Sequence, residues 1–212
     1  MFVGATESLQ PDDTILGGSL TGVVAAQIAA AIFGVLAISG EYSTGTIRTT
    51  FTASPRRATV LAAKAVVVAG VTFLVALFTS FLAYEIGSLM LSGKGYAPGE
   101  PMPALVGIGL SFSASGLLGL AVGTILRHSA GAITAMIAIM LMPSLFGPLF
   151  GDLQRWVVGT APVAAVQKLA QSSDAAPDVA GSLGAWSSLL ILCAYSAAAL
   201  MTGGWRLASR DA

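Results

Sequence analysis

Uninterrupted apolar blocks, each about as long as a bilayer is thick, constrain the fold of this chain more than any other feature of its sequence. Charged residues make up only 9% of the 212 residues, which is too few to build a water-facing surface. No block alternates apolar and polar residues over about ten positions, as a membrane β-strand would. The sequence therefore predicts an all-α, polytopic transmembrane helical bundle, because helices satisfy their own backbone polar groups in lipid.

The apolar blocks define five predicted spans in a single transmembrane domain, residues 1–212. The spans are expected at residues 15–39, 65–91, 104–126, 130–150 and 185–205. Between the fourth and fifth spans, the outer segment 151–184 is long for a loop between neighbouring helices. Its sequence TAPVAAVQKLA predicts a short amphipathic helix that lies on the outer interface or dips into it.

Basic residues are distributed unevenly between the two ends of the predicted spans. Three lie on one side, and seven lie on the other: Arg48, Arg56, Arg57, Lys64, Arg127, Arg206 and Arg210. Because short cytoplasmic loops retain Lys and Arg, the side with seven is expected to face the cytoplasm, with the C-terminus inside. The formal net charge of zero gives no reason to expect a nucleic-acid partner.

The predicted spans lack the residues that an intramembrane enzyme needs. Such chemistry requires convergent Ser and His, paired Asp, or a metal cluster. The sequence has one cysteine, Cys193, one histidine, His128, and no Gly-x4-Gly-Lys-Ser/Thr phosphate loop. We therefore expect no catalytic residue, no metal site and no bound cofactor in this chain.

The segment 40–64, on the predicted cytoplasmic side, is the part of the sequence most indicative of function. It reads GEYSTGTIRTTFTASPRRATVLAAK. If it continues helically from the first span, Glu41, Gly45 and Arg48 share one face, where a carboxylate, a small residue and a guanidinium are able to receive a soluble partner. An ordinary charged loop that obeys the positive-inside rule accounts for the same charges.

The residue pattern of this segment resembles the ABC type-2 transporter permease family, especially its actinobacterial members, in which EYSTGTIR is followed by PRR and AAK. The likeness extends from about Gly17 to the C-terminus. It implies a permease of the bacterial inner (plasma) membrane that forms a homo- or heterodimer and exports a substrate. A separate ABC ATPase subunit would hold ATP and Mg. The coupling and ATPase-docking residues so implied are Glu41, Tyr42, Gly45, Thr46, Arg48, Pro55, Arg56, Arg57 and Lys64.

Members of that family usually have six spans, one of which precedes the outer loop at which this chain starts. We therefore expect a functional form extended at the N-terminus by one more apolar helix. The small residues Gly22, Ala26, Ala30 and Gly34 define a face of the first predicted span that a close neighbour would cover.

Two further features each have a functional and a structural interpretation. The third predicted span has small residues at every fourth position, which suit static helix packing or a face that slides during transport. These residues are Gly107, Ser111, Ser115, Gly119 and Gly123. Glu85, near the outer end of the second span, either lines a substrate or proton pathway or anchors the helix at the headgroups.

A secondary transporter or small channel-like membrane protein is the alternative function. Such proteins place paired charges or broken helices near the middle of the membrane, and only Glu85 approaches that pattern. The permease interpretation also explains the basic segment 40–64, which the alternative does not.

Overall fold

The computed structural model describes residues 14–44, 57–91, 95–171 and 175–209, and the regular elements in these ranges are all helical. The first five helices are α1, Ile15–Ser19; α2, Val23–Thr44; α3, Arg57–Leu91; α4, Pro101–Leu126; and α5, Ser129–Phe146. A 3-10 helix, Gly147–Leu153, is followed by α6, Gln154–Gly159; α7, Ala164–Leu169; α8, Pro177–Ala180; and α9, Ala185–Ser209.

Five helical stretches in the described ranges are long and apolar enough to cross a membrane. They are Val23–Tyr42, Thr59–Leu91, Pro101–Leu126, Ser129–Gly159, which is kinked at Gly151, and Ala185–Arg206. The predicted class, an all-α transmembrane bundle, is therefore confirmed. We call the end of the bundle that contains Glu41 and Lys64 the inner end and the opposite end the outer end, after the predicted topology.

The region predicted as one span at residues 15–39 contains two helices. α1 ends at Ser19 and α2 begins at Val23. The sequence is rich in glycine at this point, and glycine is unfavourable in a helix interior. α1 packs against α3 at Gly87. A Cβ added to this glycine would lie 1.9 Å from Ser19 Oγ of α1. α2 continues to Thr44, past the predicted end of the span at residue 39.

α4 is the central helix of the bundle. In the most apolar 18-residue stretch of its span 78% is buried, whereas in those of the other four candidate spans between 17% and 39% is buried. Its most extensive contact is with α2, followed by α3 and α9, and it also packs against α5. The other helices therefore surround α4 and present more of their own apolar surface to the exterior.

α2 and α4 cross with their backbones in contact. A Cβ built on Gly34 of α2 would lie 1.9 Å from the carbonyl oxygen of Gly116. One built on Gly119 of α4 would lie 2.0 Å from the carbonyl oxygen of Ala31. These distances leave no room for a side chain, so the close approach of the two helices requires glycine at both positions.

Hydrogen bonds at one level of α4 connect it to three neighbouring helices. Ser113 Oγ donates to the Ala69 carbonyl of α3 at 2.7 Å. The Ala114 carbonyl accepts from Ser196 Oγ of α9 at 2.7 Å. Ser115 Oγ accepts from Gln27 Nε2 of α2 at 2.9 Å. Bonds of this type contribute about 0.6 kcal/mol each between membrane helices. Three consecutive residues of α4 thus set the relative positions of α2, α3 and α9.

The chain folds back after α5. α5 contains Pro143, the backbone turns at Gly151 with φ +52°, and α6 begins three residues later. α7, Ala164–Leu169, lies within the segment predicted to form a short amphipathic helix, and four of its six residues are buried while Gln167 and Lys168 are half-buried. Ala164 and Val166 are fully buried, and α7 packs against α9 and α4.

We expect Gly119→Ala to lower the melting temperature of the purified chain by several degrees, because its Cβ would push α2 away from α4. Overpacking of this kind typically costs about 1–3 kcal/mol. Temperature-dependent size-exclusion chromatography in detergent measures the effect. Gly70→Ala is the matched control, since a Cβ at this exposed helical position meets nothing within 4 Å. Equal melting temperatures for the two variants would contradict the backbone contact.

Candidate functional site

Glu41 and Lys64 form an ion pair between two helix ends. Glu41 lies near the C-terminal end of α2, and Lys64 lies in the first turns of α3. Lys64 Nζ lies 2.6 Å from Glu41 Oε1 and also donates to the Ala37 carbonyl at 3.1 Å. The Glu41 carboxylate and the Ala37 carbonyl are both acceptors, so together they bind the ammonium group of Lys64. Lys64 therefore holds the last turns of α2 against the start of α3.

The ion pair joins the two helices between which residues 45–56 lie. Five of the nine predicted coupling residues fall outside the described residues: Gly45, Thr46, Arg48, Pro55 and Arg56. The backbone of Arg57 begins α3. The structure describes side-chain positions for the remaining three, Glu41, Tyr42 and Lys64, and brings all of them to the inner end.

Tyr42 connects α2 to the end of α4. The guanidinium carbon of Arg127 lies 5.8 Å from the centre of the Tyr42 ring, within the range of a cation–π interaction. Arg127 has φ +55° and donates its backbone N–H to the Gly123 carbonyl, so it caps the C-terminus of α4. In the sequence, Arg127 indicates only the topology of the chain. Its position directly after an apolar span, on the same side as Tyr42, was the available signal for a structural role.

An apolar cluster lies beside the ion pair and joins four helices. Its buried members are Ile38 of α2, Leu61 of α3 and Leu120 of α4, and Leu200 of α9 packs against them. Because these side chains touch one another, a displacement of α2 or α3 at the ion pair has to move or repack the cluster. The inner ends of α2, α3, α4 and α9 are therefore mechanically connected.

The five small residues of α4 lie on a buried face that meets two different elements. Gly119 and Gly123, nearer the inner end, meet α2. Gly107 meets α7, and a Cβ built on it would lie 2.7 Å from Leu169 Cδ2. The two serines between them, Ser111 and Ser115, are fully buried. The stripe thus lies against α2 over one part of its length and against α7 over another.

Glu85 lies away from the other predicted site residues. It is exposed on α3, toward the outer end, and its backbone carbonyl accepts a hydrogen bond from Ser88 Oγ at 2.8 Å. Its side chain therefore projects from the outside of the bundle rather than into the packed centre around α4.

At the outer end, α6 and α7 are attached to α9 and the residues that lead into it. Ser188 Oγ of α9 donates to the Gly159 carbonyl at 3.0 Å, and Lys168 Nζ of α7 donates to the Leu183 carbonyl. Partial burial of the Lys168 ammonium group lowers its pKa. These bonds hold the segment that connects α5 to α9 against the start of the last span.

The five candidate spans and their packing around α4 define an integral membrane protein. A family model described as ABC-2 family transporter protein matches residues 5–212. The chain belongs to this family, which confirms the resemblance seen in segment 40–64. It is thus a membrane subunit of a transporter rather than a catalytic enzyme. No curated protein and no solved structure matches the chain.

We expect the effects of Glu41→Ala and Lys64→Ala on the melting temperature to be non-additive. Each variant removes the same ion pair, whose side chains are 29% and 21% exposed, so the coupling energy should be about 1 kcal/mol or less. Thermal unfolding of the two single variants and the double variant measures it. Glu85→Ala, which removes an exposed carboxylate of α3, is the control and should change little. Strict additivity would show that the pair contributes no coupling energy.

Proposed function

We propose that this chain is the permease subunit of an ABC exporter, in which ATP hydrolysis by a separate subunit drives substrate export through the helical bundle. The proposal rests on the Glu41–Lys64 ion pair in a chain of the ABC-2 family. The pair joins the helices on both sides of residues 45–56. A soluble subunit that moved this segment would therefore move α2 and α3 together.

The roles of the predicted coupling residues differ in this mechanism. Glu41, Tyr42 and Lys64 hold the helix ends in position. The residues that would receive the ATPase subunit are Gly45, Thr46, Arg48, Pro55, Arg56 and Arg57. ATP and Mg would bind to the partner, and this chain would transmit movement.

The packing of α2 explains how movement at the inner end would reach the rest of the bundle. α2 has 22 residues, so it is about 33 Å long and spans the hydrocarbon as one helix. Its backbone contact with α4 at Gly34 and Gly119 lies between its two ends. A push on Glu41 would therefore tilt α2 about this contact, and the outer end of α2 would move in the opposite direction.

The proposal includes a membrane orientation and a second permease chain. Seven of the ten basic residues are on the side of segment 40–64, so the inner end and the C-terminus would face the cytoplasm of a bacterial cell. The span of α3 is only 22% buried, which leaves a long apolar surface for lipid and for a second, identical or related, permease chain.

The distribution of charge favours the permease over a secondary transporter or channel. The charged residues within the five described spans lie toward their ends and are Glu41, Lys64, Glu85, Asp152, Arg155 and Arg206. A secondary transporter usually requires ionisable groups near the middle of the membrane.

We expect charge reversal at Glu41 or at Arg48 to uncouple the complex. Glu41→Lys would place two ammonium groups against each other, and the permease-dependent ATPase activity should fall about tenfold or more while membrane insertion stays near normal. The ATPase activity and composition of the purified complex measure this. Glu85→Lys is the matched control, and the exchange Glu41→Lys with Lys64→Glu should restore much of the activity. Normal binding and stimulation of the ATPase by both reversal variants would show that the docking role is wrong.

A further inference from the structure

Gln27 is a buried amide one turn from the start of α2, and its side chain binds two other elements. The residue has 0% of its surface exposed. Its Nε2 donates to Ser115 Oγ of α4 at 2.9 Å and to the carbonyl of Pro162 at 3.0 Å. Among the described residues, Oε1 has no hydrogen-bond partner. Burial of an amide is unfavourable unless its polar atoms are bonded, so both bonds matter for keeping Gln27 in this position.

Pro162 belongs to the segment between α6 and α7, which we call the hinge segment, residues 160–163. On both sides of it, Gly159 and Lys168 are bonded to the region of α9, as described above. The bond from Gln27 to Pro162 connects the same stretch of chain to α2. Residues 154–169 are thus hydrogen-bonded both to the region of α9 and to α2, which reaches Glu41 at the inner end.

We propose that Gln27 makes the hinge segment follow α2, so that a tilt of α2 that begins at the inner end is passed to α6 and α7 at the outer end. Gln27 is a positioning residue in this scheme, because it acts through the Pro162 carbonyl. Without its bond, the hinge segment would keep its apolar packing and the neighbouring hydrogen bonds to the region of α9, but it would lose its polar attachment to α2. The inference goes beyond the proposed function and does not depend on an ATPase partner, because it concerns movement within this chain.

The geometry distinguishes the two bonds of Gln27. Ser115 lies on α4, the central helix, so its bond to Gln27 holds α2 against the scaffold. Pro162 lies outside the spans, so only the second bond reaches the hinge segment. Ser115→Ala removes the first acceptor and leaves the second bond possible, whereas Gln27→Met keeps a similar volume and removes both. The two variants therefore separate attachment to α4 from attachment to the hinge segment.

A distance measurement on the full chain in nanodiscs tests the proposal. Spin labels are placed at Met102→Cys on α4 and Trp156→Cys on α6, two positions that are 70% and 58% exposed, in a chain with Cys193→Ser. α2 is perturbed at its other end by Glu41→Ala. We expect this perturbation to shift the distance distribution between the labels when Gln27 is present. The shift should persist with Ser115→Ala and disappear with Gln27→Met.

Three results would overturn the inference. They are a shift that survives Gln27→Met, no shift when Gln27 is intact, and equal loss of the shift in Gln27→Met and Ser115→Ala. If Gln27→Met does not insert, Gln27→Asn replaces it, since its amide is one methylene shorter and cannot reach both acceptors. The proposed function would fail in a different experiment, by the lack of an ATPase partner. The distance measurements use this chain alone and do not involve that partner.

Discussion

The backbone contact between α2 and α4 is the constraint on which the rest of the structure depends. In lipid, helices gain nothing by removing apolar side chains from water, so they associate through close packing and hydrogen bonds. Gly34 and Gly119 bring the two backbones together, and the bond between Gln27 and Ser115 connects the same pair of helices. Because α2 is one continuous helix that contacts α4 near its middle, the positions of Gln27 at one end and Glu41 at the other depend on each other.

The fold class could be predicted because the length of an apolar block is itself a structural signal in a membrane protein. The pairing of small-residue faces could not, since several spans carry them. The face from Gly22 to Gly34 was expected to meet an additional helix. In the structure, Gly34 packs on Gly116 of α4, whereas a Cβ on Gly22 would meet nothing within 4 Å. The spacing of small residues predicts a close contact, but not which helix provides it.

The candidate site could be predicted in part. Glu41 and Lys64 were both assigned to the coupling segment, but their contact depends on how α2 and α3 pack around α4, and they are 23 positions apart in the chain. Gln27 was missed. A single glutamine within an apolar block was the available signal, because polar side chains at that depth need partners. One of its partners is the backbone carbonyl of Pro162 in another segment. A pattern of side chains in the sequence does not indicate a backbone partner.

Affinity purification of the full chain from its native membrane, in mild detergent, is the direct test of whether the chain works with an ATPase subunit. We expect a second subunit with a Gly-x4-Gly-Lys-Ser/Thr phosphate loop to purify with the chain in a fixed ratio and to hydrolyse ATP. The absence of any such subunit, together with transport by the chain alone in liposomes, would contradict the proposed function.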